Sequence, residues 1–160
     1  MDHLHFWPII QCLVLLTIAN GVPVMAKKML GDRLAWPIDG GRHFWDGRPL
    51  LGPSKTFRGA ALSIATSAVV APLVGLGIGT GMLIAFTAMV GDMLSSFVKR
   101  RLRLAPSAMA PGLDQVPESL LPLLAVRNLL GLSIVDGAFW VGELIVSRLL
   151  YALRIRDRPY

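Results

Sequence analysis

Long apolar segments alternate with shorter polar ones along this chain. Residues 6–25, 59–77 and 82–98 carry almost no charge, and each approaches the roughly 20 apolar residues with which an α-helix crosses a bilayer. No segment shows the alternation of apolar and polar residues that is typical of a membrane β-strand. The pattern predicts an all-α membrane protein, in which a polar segment at residues 27–58 separates the first two spans. A glycine-rich turn at residues 75–81 is predicted to separate the second span from the third.

The segment after Glu118 is harder to divide, because charged residues such as Arg127 and Glu143 interrupt its apolar stretch. Two more spans, the first of them short and ending near Arg127, give about five in total. One long tilted span is the alternative, but it places the C-terminal arginines on the side opposite the other basic residues. We expect residues 1–160 to form a single domain, a polytopic bundle of about five transmembrane helices.

Composition agrees with this prediction, because 54% of the residues are hydrophobic and only 16% are charged, whereas a soluble domain has about 25% charged residues. Lys and Arg are absent from residues 1–26 and 59–98 and concentrate beside the predicted spans. Since Lys and Arg favour the cytoplasmic side of a membrane, two loops, residues 27–58 and 100–117, are predicted to lie there and to form the site. The net charge of +6 then belongs to these loops and predicts no nucleic-acid partner.

The third predicted span carries the densest polar signal, in the sequence GDMLSSFVKRR. Asp92, Ser96, Lys99 and Arg103 are spaced so that they share one face of a helix, which leads from the membrane interior to the cytoplasmic surface. An ionisable residue within a span is costly and usually faces a cavity or a partner. Two interpretations remain open, a functional site or an Asp92–Lys99 ion pair that only joins helices.

A second acidic position follows in the sequence PGLDQVPE, which contains Asp114 and Glu118. Mg²⁺ is typically held by one or two carboxylates, by water and by the phosphate oxygens of a substrate. Asp92 and Asp114 form such a candidate pair, and the neighbouring Lys and Arg residues suit phosphate groups. Spacing alone does not distinguish this metal site from ordinary solvated carboxylates, and it leaves open whether Glu118 is a ligand.

The loop sequence DGRPLLGPSKTFRG brings Lys55, Thr56 and Arg58 to the predicted start of the second helix. Unpaired N–H groups and the helix dipole favour an anion at such a position, so a phosphate is the predicted ligand. A basic anchor on lipid head groups is the alternative. The segment is not a Walker A loop, because Pro53 and Ser54 separate Gly52 from the lysine and because a membrane span, not a strand–helix unit, follows it.

The end of the first predicted span contains the sequence NGVP, with Asn20 and Pro23. Proline is expected to break or kink the helix and to free backbone carbonyls near the cytoplasmic face. In the long loop, Asp39, His43 and Asp46 lack the spacing of a dedicated metal site, and His43 is interpreted as an interfacial side chain.

Taken in order, NGVP, DGRPLLGPSKTFRG, GDMLSSFVKRR and PGLDQ resemble the CDP-archaeol synthase family. This family is a branch of the membrane cytidylyltransferases that is related to phosphatidate cytidylyltransferase. The resemblance runs from Asn20 to Glu118, and the order of the motifs and the five-span topology both fit. It implies a CTP-dependent nucleotidyltransferase that transfers CMP to a phosphorylated lipid alcohol, with Mg²⁺ as cofactor and pyrophosphate as the second product.

The resemblance also implies roles for individual residues. Lys55, Asp92, Lys99 and Asp114 would be the catalytic groups, and Asp92 and Asp114 among them would bind the metal. The implied substrate-binding residues are Asn20, Thr56, Arg58, Ser96, Arg100 and Gln115. Glu118 stands where the family more often carries an aspartate, so the lipid is left open between archaeol phosphate, phosphatidate and another lipid phosphate.

The implied partners are CTP, the lipid phosphate and membrane lipids, with a homodimer as an open possibility and with the active site facing the cytoplasm. The alternative function is a non-catalytic transporter or anionic-lipid-binding protein, suggested by the charged residues from Arg127 to Arg148. Transporters of this kind often contain paired repeats, and none is visible in the chain. A lipid phosphatase or a CDP-alcohol phosphotransferase is the third hypothesis, but the multi-aspartate helix of the latter is missing.

Overall fold

The computed structural model describes residues 6–104 and 113–132, which contain four helices and one long loop. The helices are α1 (Phe6–Leu30), α2 (Phe57–Leu73), α3 (Ile78–Arg101) and α4 (Gln115–Leu130). Helices α1 and α3 are each long and apolar enough to cross a membrane, and α2 is a shorter apolar helix. The long loop contains only isolated antiparallel bridges, such as the one between Pro37 and Thr56.

The described residues agree with the predicted all-α class and with the order of the first spans. Helix α4 ends at Leu130, with Gly131 in the left-handed region (φ 65°), close to Arg127, where the short fourth span was predicted to end. That α4 spans the membrane stays a prediction. The fifth predicted span, with Asp136, Glu143 and Arg148, lies outside the described residues.

The turn between α2 and α3 is shorter than predicted. Helix α2 ends at Leu73, and the chain reverses at Gly75, whose φ of 84° lies in the left-handed region that favours glycine. Gly79 and Gly81 were predicted to belong to this turn, which is wrong, because both lie inside α3. Gly81 serves helix packing instead, since a Cβ there would lie 2.5 Å from the carbonyl oxygen of Ser67 on α2.

Pro23 frees a backbone carbonyl, as predicted, but it does not end the helix, because α1 continues to Leu30. Proline has no N–H to donate to the carbonyl of Ala19, one turn earlier. The buried hydroxyl of Ser63 on α2 donates to that carbonyl at 2.7 Å. The hydrogen bond lost within α1 is therefore replaced by one between α1 and α2.

The core lies between α1, α2 and α3, and α4 closes it from one side. Its buried apolar residues are mostly small or aliphatic: Cys12, Leu15, Ala19, Ala71, Ile84, Ala85, Ala88, Leu123 and Val126. Small side chains at helix contacts let the backbones approach closely, which is typical of helix packing in membranes. At the end of the core beside the α2–α3 turn, Gln11 donates to the carbonyl of Val74 at 2.6 Å.

The opposite end of the bundle gathers the polar elements of the described chain. The guanidinium of Arg58, at the start of α2, donates to the carbonyls of Gly31 and Arg33, just after the end of α1. The start of α4 packs directly on α3, because a Cβ at Gly91 would overlap the carbonyl of Pro117. The long loop, the basic end of α3 and the beginning of α4 therefore meet at one end.

Replacing Gly91 with alanine should destabilise the protein by about 1–3 kcal/mol, because the new methyl group collides with the α4 backbone at Pro117. Gly79→Ala on the same helix is the matched control, since nothing lies within 4 Å of a Cβ there. Unfolding in detergent, followed by circular dichroism, measures both variants. Equal stability of the two would contradict the close contact between α3 and α4.

Candidate active site

The four predicted catalytic residues form two lysine–carboxylate pairs, which we call the ion-pair cluster. The ammonium of Lys55 lies 2.6 and 2.5 Å from the two carboxylate oxygens of Asp92. The ammonium of Lys99 lies 2.7 Å from Oδ1 of Asp114. Within residues 6–104 and 113–132, Asp92 and Lys99 are paired with residues of other segments, in place of the Asp92–Lys99 pair considered from the sequence.

Both pairs are sheltered but remain open to a ligand. The side chains of Lys55 and Asp92 are 18% and 28% exposed, and those of Lys99 and Asp114 are 9% and 23% exposed. Removing a charge from water is costly unless an opposite charge compensates it, which explains why each lysine is paired. A substrate or a cation can still reach the exposed carboxylate oxygens.

Helix packing brings the two pairs to the same region of the bundle. Asp92 follows Gly91, the residue against which Pro117 and Glu118 of α4 lie. Asp114 immediately precedes α4. The contact of Gly91 with the start of α4 therefore also holds the carboxylate of Asp114 near α3. The two ion pairs thus join residues from the long loop, from α3 and from the start of α4, and their roles in catalysis stay a prediction.

Two of the predicted substrate-binding residues make hydrogen bonds that shape the start of α2. Thr56 is the N-cap of this helix, and its hydroxyl accepts a hydrogen bond from the N–H of Gly59 at 3.2 Å. Arg58 donates to carbonyls beyond the end of α1, including that of Gly31 at 3.0 Å. Their contact with a substrate stays a prediction.

The remaining predicted substrate-binding residues lie on α1, α3 and α4. Ser96 and Arg100 are 3% and 5% exposed, and both follow Asp92 along α3 at helical spacing. The side-chain oxygen of Asn20 on α1 is buried and has no hydrogen-bond partner among the described residues. Gln115 begins α4, but its side chain lies outside the description.

Asp39 organises the long loop. It is 7% exposed and accepts hydrogen bonds from the N–H groups of Gly41, Leu51 and Gly52 at 2.9–3.0 Å. Burial alone would raise the pKa of this carboxyl, but the backbone N–H groups outweigh it and hold the pKa below its usual value. These three hydrogen bonds draw two parts of the loop that carries Lys55 together around the carboxylate of Asp39.

Arg101 fastens the long loop to the end of α3, an arrangement that we call the Arg101 clamp. Its guanidinium lies 4.7 and 5.0 Å from the ring centroids of Phe44 and Phe97. It also lies 2.8 Å from the carboxylate of Asp46 and donates to the carbonyl of Pro49 at 2.7 Å. Stacking on aromatic rings combined with forked donation is a property of arginine that lysine lacks.

Sequence reasoning missed the Arg101 clamp, because its members come from two distant segments. The available signals were the aromatic residues of the loop and the run of cations that ends α3, but neither indicates which arginine meets which ring. Arg48 belongs to the same contact, since it donates to the carbonyl of Arg101 at 2.8 Å. The loop and the end of α3 are therefore joined in both directions, by Arg101 of α3 and by Arg48 of the loop.

The chemistry available in the ion-pair cluster is that of charge and of oxygen ligands. Within residues 6–104 and 113–132, no group of three or more His, Cys, Asp or Glu side chains is placed to hold a metal. Asp92 and Asp114 alone fit the pattern in which Mg²⁺ takes one or two carboxylates and completes its shell with water and substrate phosphates. The two lysines complement phosphate oxygens.

The comparison with known proteins identifies the family. Residues 9–151 match the family model described as CarS-like, CDP-archaeol synthase. The chain belongs to the CDP-archaeol synthase family. The family named from the four sequence motifs is therefore confirmed.

Individual relatives agree over most of the chain. The CDP-archaeol synthase of Sulfurisphaera tokodaii is 36% identical over 155 residues, which cover 89% of each protein. That of Hyperthermus butylicus is 44% identical over 104 residues, which cover 61% of this chain and 59% of that protein. A solved structure of an intramembrane enzyme for archaeal membrane lipid biosynthesis superposes with a TM-score of 0.72 at 33% identity, covering 92% of both chains.

Membership of the CDP-archaeol synthase family establishes the type of reaction. The chain is a CTP-dependent nucleotidyltransferase, a membrane protein of lipid biosynthesis that transfers a cytidylyl group to a phosphorylated lipid to give a CDP-lipid. The prediction of an enzyme of this class is confirmed, and the non-catalytic transporter is set aside.

Replacing Asp39 with asparagine should lower the stability by about 1–3 kcal/mol at neutral pH, because an amide cannot accept all of the carboxylate's hydrogen bonds from the backbone. Since the pKa of Asp39 is lower in the folded state, its stabilisation is complete above the unfolded value of about 3.9 and is lost as the pH falls through the folded value. Unfolding measured from pH 7 to pH 3 should show the gap between the two proteins closing. Asp32→Asn, at an exposed position, is the control and should show no gap at neutral pH.

Replacing Arg101 with alanine should release the loop from α3, and Arg101→Lys should restore only part of the contact, because lysine lacks the planar fork. Loss of about 2 kcal/mol of local stability corresponds to roughly 30-fold faster exchange of amide hydrogens. Hydrogen exchange at the N–H groups of Phe44 and Leu50, which are bonded within the loop, measures this opening. Unchanged exchange at both amides would show that the clamp does not hold the loop.

Proposed function

We propose that cytidylyl transfer takes place at the ion-pair cluster, with Lys55, Asp92, Lys99 and Asp114 as the reacting site's charged groups. The observation that carries the proposal is the pairing of loop residue Lys55 with Asp92 of α3, at 2.5–2.6 Å. Lys55 and Asp92 are 37 positions apart in the sequence, yet they meet inside an apolar bundle, at the end that carries the long loop. Costly intramembrane charges of this kind usually mark a functional site.

The reaction needs positioning and charge rather than a strong general base. An oxygen of the lipid phosphate attacks the α-phosphorus of CTP and forms a new P–O bond, while the bond from that phosphorus to the pyrophosphate oxygen breaks. The attacking phosphate is already an anion near neutral pH, since its second pKa is about 6. Lys55 and Lys99 would exchange their carboxylate partners for phosphate oxygens and so neutralise the charge that opposes approach.

Mg²⁺ is the cofactor that Asp92 and Asp114 would hold. Their side chains are 28% and 23% exposed, and each carboxylate faces an ammonium group whose place a metal ion can take. When bound, Mg²⁺ supplies Lewis-acid neutralisation of the phosphate oxygens. The residues that would bind the substrates are Asn20, Thr56, Arg58, Ser96, Arg100 and Gln115.

The membrane arrangement that we propose has about five spans and the ion-pair cluster at the cytoplasmic face. Lys27 and Lys28 lie in the last turn of α1, and Lys99, Arg100 and Arg101 lie in the last turn of α3. These two helix ends meet the long loop at the same end of the bundle, which supports a cytoplasmic location by the distribution of basic residues.

The lipid substrate that we propose is an archaeol-type phosphate, because relatives such as the one that matches 89% of the chain carry the name CDP-archaeol synthase. Phosphatidate is the alternative, since Glu118 departs from the pattern on which the resemblance rests. A homodimer stays a prediction, and the ion-pair cluster does not depend on it, since all its members belong to one chain.

Replacing Asp92 or Asp114 with asparagine should reduce CDP-lipid formation by at least about 10²-fold, because the charge that holds the metal and the lysines is lost while the shape is kept. Labelled CTP, Mg²⁺ and a panel of archaeol phosphate and phosphatidate, incubated with the protein in nanodiscs, measure the product and the preferred lipid. Asp32→Asn is the control for removal of a surface carboxylate. Full activity in both site variants, with folding intact, would show that the reaction takes place elsewhere.

A further inference from the structure

A small hairpin, residues 42–50, forms part of the long loop, and we call it the Trp45 hairpin. The N–H of Phe44 donates to the carbonyl of Arg48 at 2.8 Å, and the N–H of Gly47 donates to the carbonyl of Phe44 at 2.9 Å. Gly47 has a φ of 74°, in the left-handed region that favours glycine in tight turns. Trp45 therefore lies at the tip of a turn with a defined backbone.

The tip of this hairpin presents an indole that the described protein leaves uncovered. Trp45 is 97% exposed, at a turn position where small or polar residues are usual. Its ring stacks on that of Phe44 with centroids 5.6 Å apart, and the ring of Phe44 meets that of Phe97 edge-on at 5.4 Å. These three rings, which we call the aromatic stack, form one apolar surface from α3 to the tip. Connected apolar surface of this kind often marks an interaction site.

The aromatic stack continues an exposed apolar face of α3. Residues four positions apart share a face of a helix, and one such series is 37–55% exposed: Met82, Phe86, Val90 and Leu94. Because α3 is long and apolar enough to cross a membrane, this face is the one available to acyl chains. Phe97 follows Leu94 by three positions and belongs to the same face, so the stack begins where the apolar series ends.

The length of α3 places the aromatic stack at the boundary of the membrane. Helix α3 begins at Ile78, and it rises about 29 Å from there to Phe97 at 1.5 Å per residue. The hydrocarbon layer of a bilayer is about 30 Å thick. Lys99, Arg100 and Arg101 follow directly. Apolar residues, then aromatic rings and then cations is the order that is typical of a helix leaving the membrane.

We propose that the Trp45 hairpin inserts its indole into the head-group layer of the membrane and so anchors the long loop to the lipid surface beside α3. Tryptophan is favoured at this level because its ring is apolar whereas its N–H can donate to water or to head groups. The charge at the tip is compatible with this position. The carboxylate of Asp46 lies 2.8 Å from the guanidinium of Arg101, which offsets its repulsion by lipid phosphates.

Charge also favours a lipid surface over a second copy of the chain as the partner. Residues 42–50 and 99–103 together contain six Lys and Arg residues and one carboxylate. Lipid phosphates complement such an excess of positive charge. In a two-fold symmetric dimer the same patch of each copy meets its counterpart, so a second set of these cations would be brought beside the first.

Fluorescence of Trp45 in nanodiscs tests the position of the indole. The chain contains four tryptophans, Trp7, Trp36, Trp45 and Trp140, so a variant in which the other three are replaced with phenylalanine reports on Trp45 alone. Lipids brominated near the head-group end of the acyl chain should reduce its emission at least about twofold, and lipids brominated deeper should reduce it less. Iodide in the aqueous phase should quench it less than in the urea-unfolded protein.

Two further measurements serve as controls. The difference in emission between the unaltered protein and Trp45→Phe gives the same signal with a single substitution at an exposed position, and circular dichroism checks the fold of each variant. A variant that keeps only Trp7 is the positive control for brominated lipid, because Trp7 is 65% exposed on α1, which is long enough to span the membrane.

Quenching of Trp45 by the shallow brominated lipid would support the proposal. Two results without such quenching would overturn it. Strong quenching by iodide would show that the hairpin extends into water, and protection from iodide would show that protein covers the indole, with a second copy as the first candidate for cross-linking. The measurement needs neither CTP nor turnover, so its outcome is independent of the activity of the Asp92 and Asp114 variants.

Discussion

The pairing of charges inside an apolar bundle is the constraint on which the rest of the structure depends. A lysine or an aspartate is costly within a membrane protein unless an opposite charge compensates it. Lys55 and Asp92 satisfy this requirement for each other, so the loop must return to the same depth of α3 each time the protein folds. The same pairs remain exchangeable, because a phosphate can replace a carboxylate beside a lysine and a metal ion can replace an ammonium group beside an aspartate. In the mechanism that we propose, stability and catalysis use the same charges in different combinations.

Side chains that bind backbone groups help to hold the loop that delivers Lys55. Asp39 accepts from backbone N–H groups of the loop, whereas Arg58 at the start of α2 and Arg101 at the end of α3 donate to backbone carbonyls of the loop. Because residues 31–56 form no regular helix or strand, these side chains share the task of satisfying the backbone with hydrogen bonds between backbone groups of the loop, such as that from Phe44 N–H to the carbonyl of Arg48. A loop built this way has a defined shape without regular secondary structure, and it can position a catalytic group as a sheet edge does in soluble enzymes.

The sequence predicted the first helices, the family and which charged residues take part in ion pairs, because hydropathy and motif order are local properties. It did not predict which of these residues pair with each other. Asp92, Lys99 and Asp114 stood out as charges beside or within apolar segments. Their partners were not predictable, because helical spacing suggested Asp92 with Lys99, whereas loop closure over 37 residues decides that Asp92 meets Lys55. The prediction that Gly81 lies in a turn was wrong for a similar reason. Glycine is common in turns, but at this position it lets α2 approach α3 closely. Contacts between distant segments, such as the Arg101 clamp, carry no signal in a single sequence.

The hydroxyl of Ser63 and the ring of Pro23 form one unit, although they lie on different helices. Without the proline, the carbonyl of Ala19 would regain its donor within α1 and the serine would be a buried hydroxyl with nothing to satisfy. Without the serine, the proline would leave a bare carbonyl where there is no water. The two positions are therefore thermodynamically coupled, so that exchanging both for alanine costs less than the sum of the single exchanges. Substitutions at either position are best tolerated in sequence backgrounds that have already changed the other.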